Sequence, residues 1–251
     1  MKKYLFATAM AVAALASAPA FAQGYIGASA SHTEVEVMGL EGDGNLYNVF
    51  GAAVLPLNET FSWQFDGDVA VTDIDGADDE TAVSGTAHLY KGAEANKVGG
   101  FVGFTTADDF DVWNVGAEGQ LFLDNVNLGG AVGYFNVDDL EVDGVGIRGT
   151  ATVFANDNLS FGAGLAYASA DAGGIDVDGW NARVGAEYQL PAAPLSFFAA
   201  YSRTDIEDAD LEADSITLGL TYSFGTATLK ERERNGASLD GLGGLAGMFA
   251  F

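Results

Sequence analysis

The chain has 251 residues, no cysteine, and 36 acidic against 10 basic residues, which gives a formal net charge of −26. Nucleic acid is not expected as a partner, because phosphate binding needs a basic face, and without cysteine neither disulfides nor thiol chemistry are available. Hydrophobic residues make up 49% of the chain and charged residues 18%. This composition argues against disorder, which requires low hydrophobicity, and the length permits one domain of moderate size.

The first 22 residues have the pattern of a cleaved secretory signal. Lys2 and Lys3 precede an apolar stretch, and alanines flank the phenylalanine of Ala20–Ala22. Small residues at these two positions suit a signal peptidase, and the apolar stretch is too short to cross ~30 Å of hydrocarbon as a helix. We predict cleavage after Ala22. No later segment has the ~18 apolar residues of a membrane helix, so the mature chain is either soluble or a closed barrel.

From residue 24 to residue 224, apolar and polar residues alternate with the period of two that is typical of strands. We count twelve such segments: 24–32, 44–55, 61–71, 81–91, 97–105, 111–123, 126–136, 144–154, 159–168, 179–190, 195–203 and 213–224. Each is close to the ~9–11 residues that a tilted strand needs to cross a bilayer. The pattern predicts an all-β fold, an antiparallel up-and-down transmembrane barrel of about twelve strands, with 10–14 as the range and an even number expected.

The connections alternate in length and in charge. The turns after even-numbered strands are short, and they contain Pro56, Pro191 and Pro194, which cannot donate a backbone hydrogen bond to a sheet. The connections after odd-numbered strands are mostly longer and hold most of the acidic residues, at 33–43, 72–80, 108–111, 138–143, 171–178 and 205–214. This segregation predicts a barrel with one densely anionic rim.

Aromatic residues on the apolar face lie near the predicted strand ends. Those toward the acidic rim are Trp113, Tyr134, Tyr167 and Trp180, and those toward the short turns are Phe61, Trp63, Tyr188, Tyr222 and Phe224. Two aromatic girdles are typical of a membrane barrel, because amphipathic rings favour the headgroup level. A soluble sandwich would instead gather such rings into one core, so the placement favours the membrane barrel.

On these features the sequence resembles bacterial outer-membrane β-barrel proteins, in particular the porin-like ones, over the signal and residues 24–224. The last strand looks like the assembly signal of that family: it alternates Ile216, Leu218, Leu220, Tyr222 and Phe224 with small and polar residues. The resemblance implies a bacterial outer-membrane localisation, contact with outer-membrane lipid, recognition by the barrel-assembly machinery and passive diffusion of small solutes or cations. It leaves homo-oligomerisation open, and no cofactor is expected.

The chain departs from that family by continuing from Gly225 to Phe251. Three interpretations of this C-terminal extension are open. It is a periplasmic extension, or Phe251 closes the real last strand and the strand count shifts, or the tail folds into the lumen as a plug. We favour the first, because Leu245–Phe251 is short for a crossing strand.

The inward faces of the predicted strands supply the candidate site. The lumen candidates are Asp66, Asp68, His88, Glu118, Arg148, Arg183 and Glu187. In an open lumen, the four acids facing the two arginines would set up a transverse field, and acidic groups would favour cations. In a closed lumen, the same residues would form a buried ion-pair network. We expect an open or partly open lumen, because a twelve-strand barrel is wider than the eight-strand kind that side chains can fill.

Two other classes of function are alternatives to transport. A barrel lipid hydrolase needs a nucleophile beside a base. Only His32 and His88 are available as histidine bases, and no G-x-S-x-G elbow is present, so an enzyme is not expected. The alternative is a closed-lumen structural or surface-binding barrel whose acidic extracellular loops bind a partner. These loops are short for an elaborate binding head, which favours transport.

Metal binding is a weaker hypothesis. Asp73 and Asp75, and again Asp176 and Asp178, place two carboxylates two residues apart before a glycine. The rest of a twelve-residue calcium loop is missing, so a solvated acidic loop is favoured. One metal-binding hypothesis is kept: Ca²⁺ or Mg²⁺ ions loosely bridge the acidic rim and lipid phosphates.

Overall fold

The computed structural model describes residues 23–74, 79–107, 110–138 and 142–243, and in it twelve antiparallel strands close into one barrel. The strands are β1 Gln23–Val37, β2 Leu40–Pro56, β3 Phe61–Ile74, β4 Glu80–Ala93, β5 Asn96–Thr106, β6 Asp111–Phe122, β7 Val126–Val137, β8 Val142–Asn156, β9 Leu159–Ala172, β10 Asp176–Gln189, β11 Leu195–Ile206 and β12 Leu211–Phe224. Each strand pairs with its neighbours in the chain, and β1 pairs with β12. The predicted fold class and strand number are confirmed.

The barrel has no free sheet edge, because β1 and β12 pair along their whole length, from Gly24 opposite Phe224 to Val37 opposite Leu211. Closure satisfies the backbone hydrogen bonds within the sheet, as hydrocarbon requires. The outside is apolar: Ile216 and Leu218 of the predicted assembly signal are 60% and 61% exposed. Side chains of this kind are stable outside a barrel when lipid covers them.

The predicted girdles also lie on the outside. Trp113 packs against Tyr134 with ring centroids 5.3 Å apart, and Trp63 stacks on Phe65 at 5.9 Å. The described residues contain no helix that is long and apolar enough to cross a membrane. The predicted signal, residues 1–22, lies outside the described part of the chain.

The predicted long acidic loop at 33–43 is wrong. These residues extend β1 and β2 to a turn of only Met38 and Gly39, whose φ angles of 52° and 78° suit the tight type I′ hairpin. Backbone pairing continues past the apolar part of the strands, because ladder hydrogen bonds do not depend on which side chains project from them. The acidic rim therefore consists partly of paired strand rather than loop.

Glycines on the inner wall leave room for aromatic rings from the neighbouring strand. A Cβ atom on Gly116 would collide with the Phe101 ring and the Val132 carbonyl oxygen, whereas a Cβ atom on Gly149, which lies on the outer face of β8, would meet nothing within 4 Å. Rings that cover glycines of a neighbouring strand are a known way to pin the register of a sheet.

We therefore expect Gly116→Ala to lower the free energy of unfolding by about 1–3 kcal/mol, the usual effect of overpacking. Gly149→Ala, the matched control, should change it by less than ~0.5 kcal/mol. Urea titration of the refolded protein in detergent, followed by tryptophan fluorescence, measures both. Equal effects of the two substitutions would show that the Phe101 ring does not depend on Gly116.

Candidate functional site

The C-terminal extension folds back into the barrel. After β12 the chain turns at Gly225, which has a φ of 75°, and forms the short helix α1 (Leu229–Asn235). Thr228 caps this helix, its side chain accepting a 3.1 Å hydrogen bond from the Glu231 backbone N–H. The Thr-x-x-Glu spacing is that of a capping box, and the buried Leu229 anchors the first turn.

This position corrects the preference for a periplasmic extension. Residues 228–243 contact inward-facing side chains of the barrel, so the plug interpretation describes them. The strand count does not shift, because β12 ends at Phe224 as predicted. The segment Leu245–Phe251 lies outside the described residues.

Arg232 is the main anchor of α1. Its guanidinium donates two hydrogen bonds, of 2.8 and 2.7 Å, to the two carboxylate oxygens of Glu187 on β10. It also lies 5.3 Å from the ring centroid of Tyr25, and only 6% of Arg232 is exposed. Bidentate pairs of this kind are among the strongest side-chain hydrogen bonds.

The charges of α1 are tuned by this environment. Burial alone would lower the pKa of Arg232, but the Glu187 carboxylate outweighs burial and the pKa is raised, so the guanidinium stays charged. The neighbouring Glu233 is also inside the barrel, and burial raises the pKa of its carboxyl although Arg232 opposes the shift. Arg232 therefore pairs with two carboxylates, in a bidentate arrangement with Glu187 and at 3.2 Å with Glu233.

The basic residues flanking Arg232 tie α1 to the turn between β6 and β7. Lys230 Nζ donates to Asn125 Oδ1 at 2.9 Å, and Arg234 donates to the carbonyl oxygens of Leu123 and Asp124, the latter at 2.9 Å. The helix therefore lies at the short-turn end of the lumen.

Beyond α1 the chain has no regular secondary structure, and inward side chains hold its backbone. Lys97 Nζ donates to the Gly236 carbonyl oxygen at 2.7 Å. Gln64 Oε1 accepts from the N–H groups of Ser238 and Leu239 at 3.0 and 3.2 Å, and Gln64 Nε2 donates to the Leu239 carbonyl oxygen at 2.6 Å. Gln64 and Lys97 are 0% and 3% exposed.

The same mode of contact continues further into the lumen. Gln120 Nε2 donates to the Ser238 carbonyl oxygen at 2.7 Å, and Glu118 Oε2 accepts from the Gly241 N–H at 3.1 Å. Arg148 forms an ion pair with the carboxylate of Asp240. We call these inward side chains, Gln64, Lys97, Glu118 and Gln120, the backbone track.

A buried histidine lies between two carboxylates beside the track. His88 is fully buried, its Nδ1 lies 2.6 Å from Glu118 Oε1, and its Nε2 lies 2.7 Å from Asp66 Oδ2. Both ring nitrogens face carboxylate oxygens, so this geometry needs either an imidazolium or a protonated carboxyl. The cluster links the track to the wall, because Gln64 also donates to Asp66.

The predicted lumen residues separate into three groups. Asp66, His88 and Glu118 form the cluster above, and Glu187 and Arg148 bind the tail instead of each other. Arg183 is on the same inward face as Glu187 but is exposed, and none of the described acids forms an ion pair with it. The transverse pairing of four acids against two arginines is therefore replaced, for the most part, by contacts with the tail.

The inner wall toward the acidic rim is apolar, which the expectation of a polar lumen missed. Its buried members lie on β5 to β9, β11 and β12 and include the tail residue Leu242: Phe101, Val112, Phe135, Val137, Val142, Ala166, Ala168, Ala170, Ile206, Leu211, Ala213 and Leu242. Strands β2, β3 and β4 contribute none of these buried residues. Toward the acidic rim, the described lumen thus has one apolar side and one polar side. A second, smaller apolar cluster packs β2 and β4 against the tail and consists of Ala52, Val54, Tyr90, Ala237 and Leu239.

Sequence reasoning missed Lys97, Arg232 and Asp240 as functional residues. Lys97 is the second residue of β5, and a lysine so close to a turn is usually exposed to solvent. The capping box at Thr228 and Glu231 was the available signal for α1. No comparable pattern in the sequence predicts the position of residues 236–243, which follow α1.

Neither catalysis nor metal binding gains support from the arrangement. The hydrogen-bond partners of His88 are carboxylates, not a hydroxyl nucleophile. Among the described residues no group of three acidic or histidine side chains could hold a metal ion, and the ring nitrogens of His88 are already bonded to the carboxylates of Asp66 and Glu118. Asp73 lies on β3, whereas Asp176 and Asp178 lie on β10, far around the barrel, and Asp75 is outside the described residues.

No protein-family model and no curated protein sequence matches the chain. Solved structures do. An outer membrane channel from Pseudomonas putida F1 superposes with a TM-score of 0.64 at 13% identity, covering 83% of this chain and 97% of that one. The translocator domain of the autotransporter NalP from Neisseria meningitidis gives 0.56 at 12% identity, with 88% and 96% covered. The KdgM porin gives 0.52 at 10% identity, with 78% and 99% covered. The chain therefore shares its fold with bacterial outer-membrane β-barrel proteins.

Proposed function

We propose that the barrel is an outer-membrane channel for passive diffusion of small solutes, with cations preferred over anions. Two of the proteins that share its fold are named as an outer membrane channel and a porin. Its own chemistry agrees with a cation preference, because the acidic residues concentrated at one rim make the surroundings of that mouth anionic.

Asp68 on β3 carries the proposal. It lies on the polar side of the lumen, is only partly buried, and interacts with Ser84 of β4 rather than with a basic residue. The apolar cluster toward the acidic rim has no buried member on β2, β3 or β4, and no hydrogen bond from the tail reaches Asp68 among the described residues. A solute that moved along this side of the lumen would pass the Asp68 carboxylate, which has no basic partner among the described residues.

The test is conductance of the refolded mature protein in a planar bilayer under a salt gradient. We expect stable steps with a reversal potential on the cation side, and Asp68→Asn should move that potential toward zero because it removes the unpaired lumen charge. Glu59→Gln, which removes the same charge from an exposed short turn, is the control. Silent protein that is verifiably folded would contradict the channel.

The second candidate is a closed-lumen barrel with a structural or surface-binding role, and a specific observation favours it. The tail fills the short-turn end while apolar side chains pack toward the acidic rim. Outer-membrane lipid, the barrel-assembly machinery and a second copy of the chain remain proposed partners under either function. An enzymatic role has no nucleophile at His88 to support it.

A further inference from the structure

The contacts of the tail have a chemical pattern that goes beyond closing a pore. From Gly236 to Gly241, the backbone track bonds mainly to carbonyl oxygens and N–H groups of the main chain: Gly236 O, Ser238 N and O, Leu239 N and O, and Gly241 N. Main-chain groups are common to all peptides. Recognition of this kind depends on backbone conformation more than on sequence.

The track is a built site. Gln64, Lys97 and Glu118 are 0%, 3% and 7% exposed, and each directs a polar atom at the bound segment. Buried groups of this kind would lose their partners if the segment left, at a cost for each group. An occupant of the same chemistry, or water, must then replace it.

Limited side-chain selection comes from the space around the segment. Gly241 and Gly243 have φ angles of 52° and 56°, a Cβ on Gly241 would lie 3.1 Å from the Phe101 ring, and a Cβ on Gly243 would collide with the Arg148 guanidinium. Arg148 pairs with the acidic side chain of Asp240. The occupant therefore needs a glycine at the positions of Gly241 and Gly243, and an acidic side chain at the position of Asp240.

We propose that the lumen is a binding site for a peptide held by its main chain, and that residues 236–243 of the chain occupy it as an internal ligand. The tail is joined to β12 by residues 225–227, of which Gly225 and Ala227 are exposed, so the connection offers a place to release it. A peptide with glycines at the two crowded positions and a carboxylate opposite Arg148 would enter from the short-turn mouth. This proposal does not depend on ion conduction.

The experiment uses the full chain with a protease recognition sequence inserted between Thr226 and Ala227. The protein is refolded whole and then cut, which turns the tail into an exchangeable ligand. A fluorescent peptide of residues 236–243 is added in detergent and its anisotropy is measured. We expect saturable binding that the unlabelled peptide displaces and that the uncut protein lacks, because its linked tail competes at high effective concentration.

Two further peptides separate main-chain from side-chain recognition. A peptide with Leu239 exchanged for methionine should bind within about tenfold of the original, because Leu239 is buried beside Val54 and Tyr90 and methionine nearly conserves its volume. A peptide N-methylated at Ser238, Leu239 and Gly241 should bind at least about 100-fold more weakly, because three donors are lost and buried acceptors are left unpaired.

Three results would overturn the proposal. One is equal binding of the N-methylated peptide, and another is binding of the original sequence alone. The third is retention of the cut tail, with no labelled peptide bound, even when Arg232→Ala removes the helix anchor, because the lumen would then be permanently closed. Anisotropy is measured without a membrane potential, so failure of the channel and failure of the peptide site are distinguishable.

Discussion

Replacing Arg232 with alanine should free the tail and raise the single-channel conductance of the refolded protein. The guanidinium makes a bidentate pair with Glu187 and lies against Tyr25, nearly excluded from solvent. Truncating one partner of a buried, hydrogen-bonded charge pair costs about 2–5 kcal/mol. Docking of the tail should weaken accordingly, by roughly 30-fold or more.

Lys230→Ala is the matched control for this prediction. It removes the same charge from the same helix, but Lys230 makes an exposed contact with Asn125. Its effect on conductance should be small, because exposed pairs contribute about 0–1 kcal/mol. Glu187→Ala should mimic Arg232→Ala, and the two together should be less than additive. An unchanged conductance in folded Arg232→Ala protein would show that the tail does not limit the lumen.

Replacing His88 with leucine should strongly destabilise the barrel. The imidazole separates the carboxylates of Asp66 and Glu118, with which it makes contacts of 2.7 and 2.6 Å. Removing it leaves the buried Glu118 and the partly buried Asp66 without their shared partner, and breaking a buried pair in this way costs about 3–5 kcal/mol. The free energy of unfolding from urea titration in detergent measures the loss.

The chain contains a natural control, because its other histidine lies at the rim. His32 is exposed and makes one hydrogen bond, of 3.2 Å, with Asn45, so His32→Leu should change stability by less than ~0.5 kcal/mol. Adding Asp66→Asn and Glu118→Gln to His88→Leu should recover part of the loss, since the repelling charges are removed. Equal stability of the His88 and His32 variants would refute the charge-cluster account.

The strands were predictable because their signal is local. A period of two identifies each strand from its own residues, and the apolar members Ile216, Leu218 and Leu220 indeed face outward. The strand ends at the acidic rim were less predictable. At that rim the alternation of apolar side chains ends, whereas the backbone pairing of β1 with β2 continues to the turn at Met38.

The twelve-strand barrel, its apolar outer face and its acidic rim can be predicted from the amino-acid sequence, since each depends on residues a few positions apart. The occupant of the lumen depends instead on contacts between residues that are distant in the chain. The contact of Gln64 with Leu239 joins residues 175 positions apart, and no local pattern encodes it. A seven-residue helix such as α1 is marginal in water. It is stable inside the barrel because the closed wall brings Glu187 and Tyr25 around Arg232.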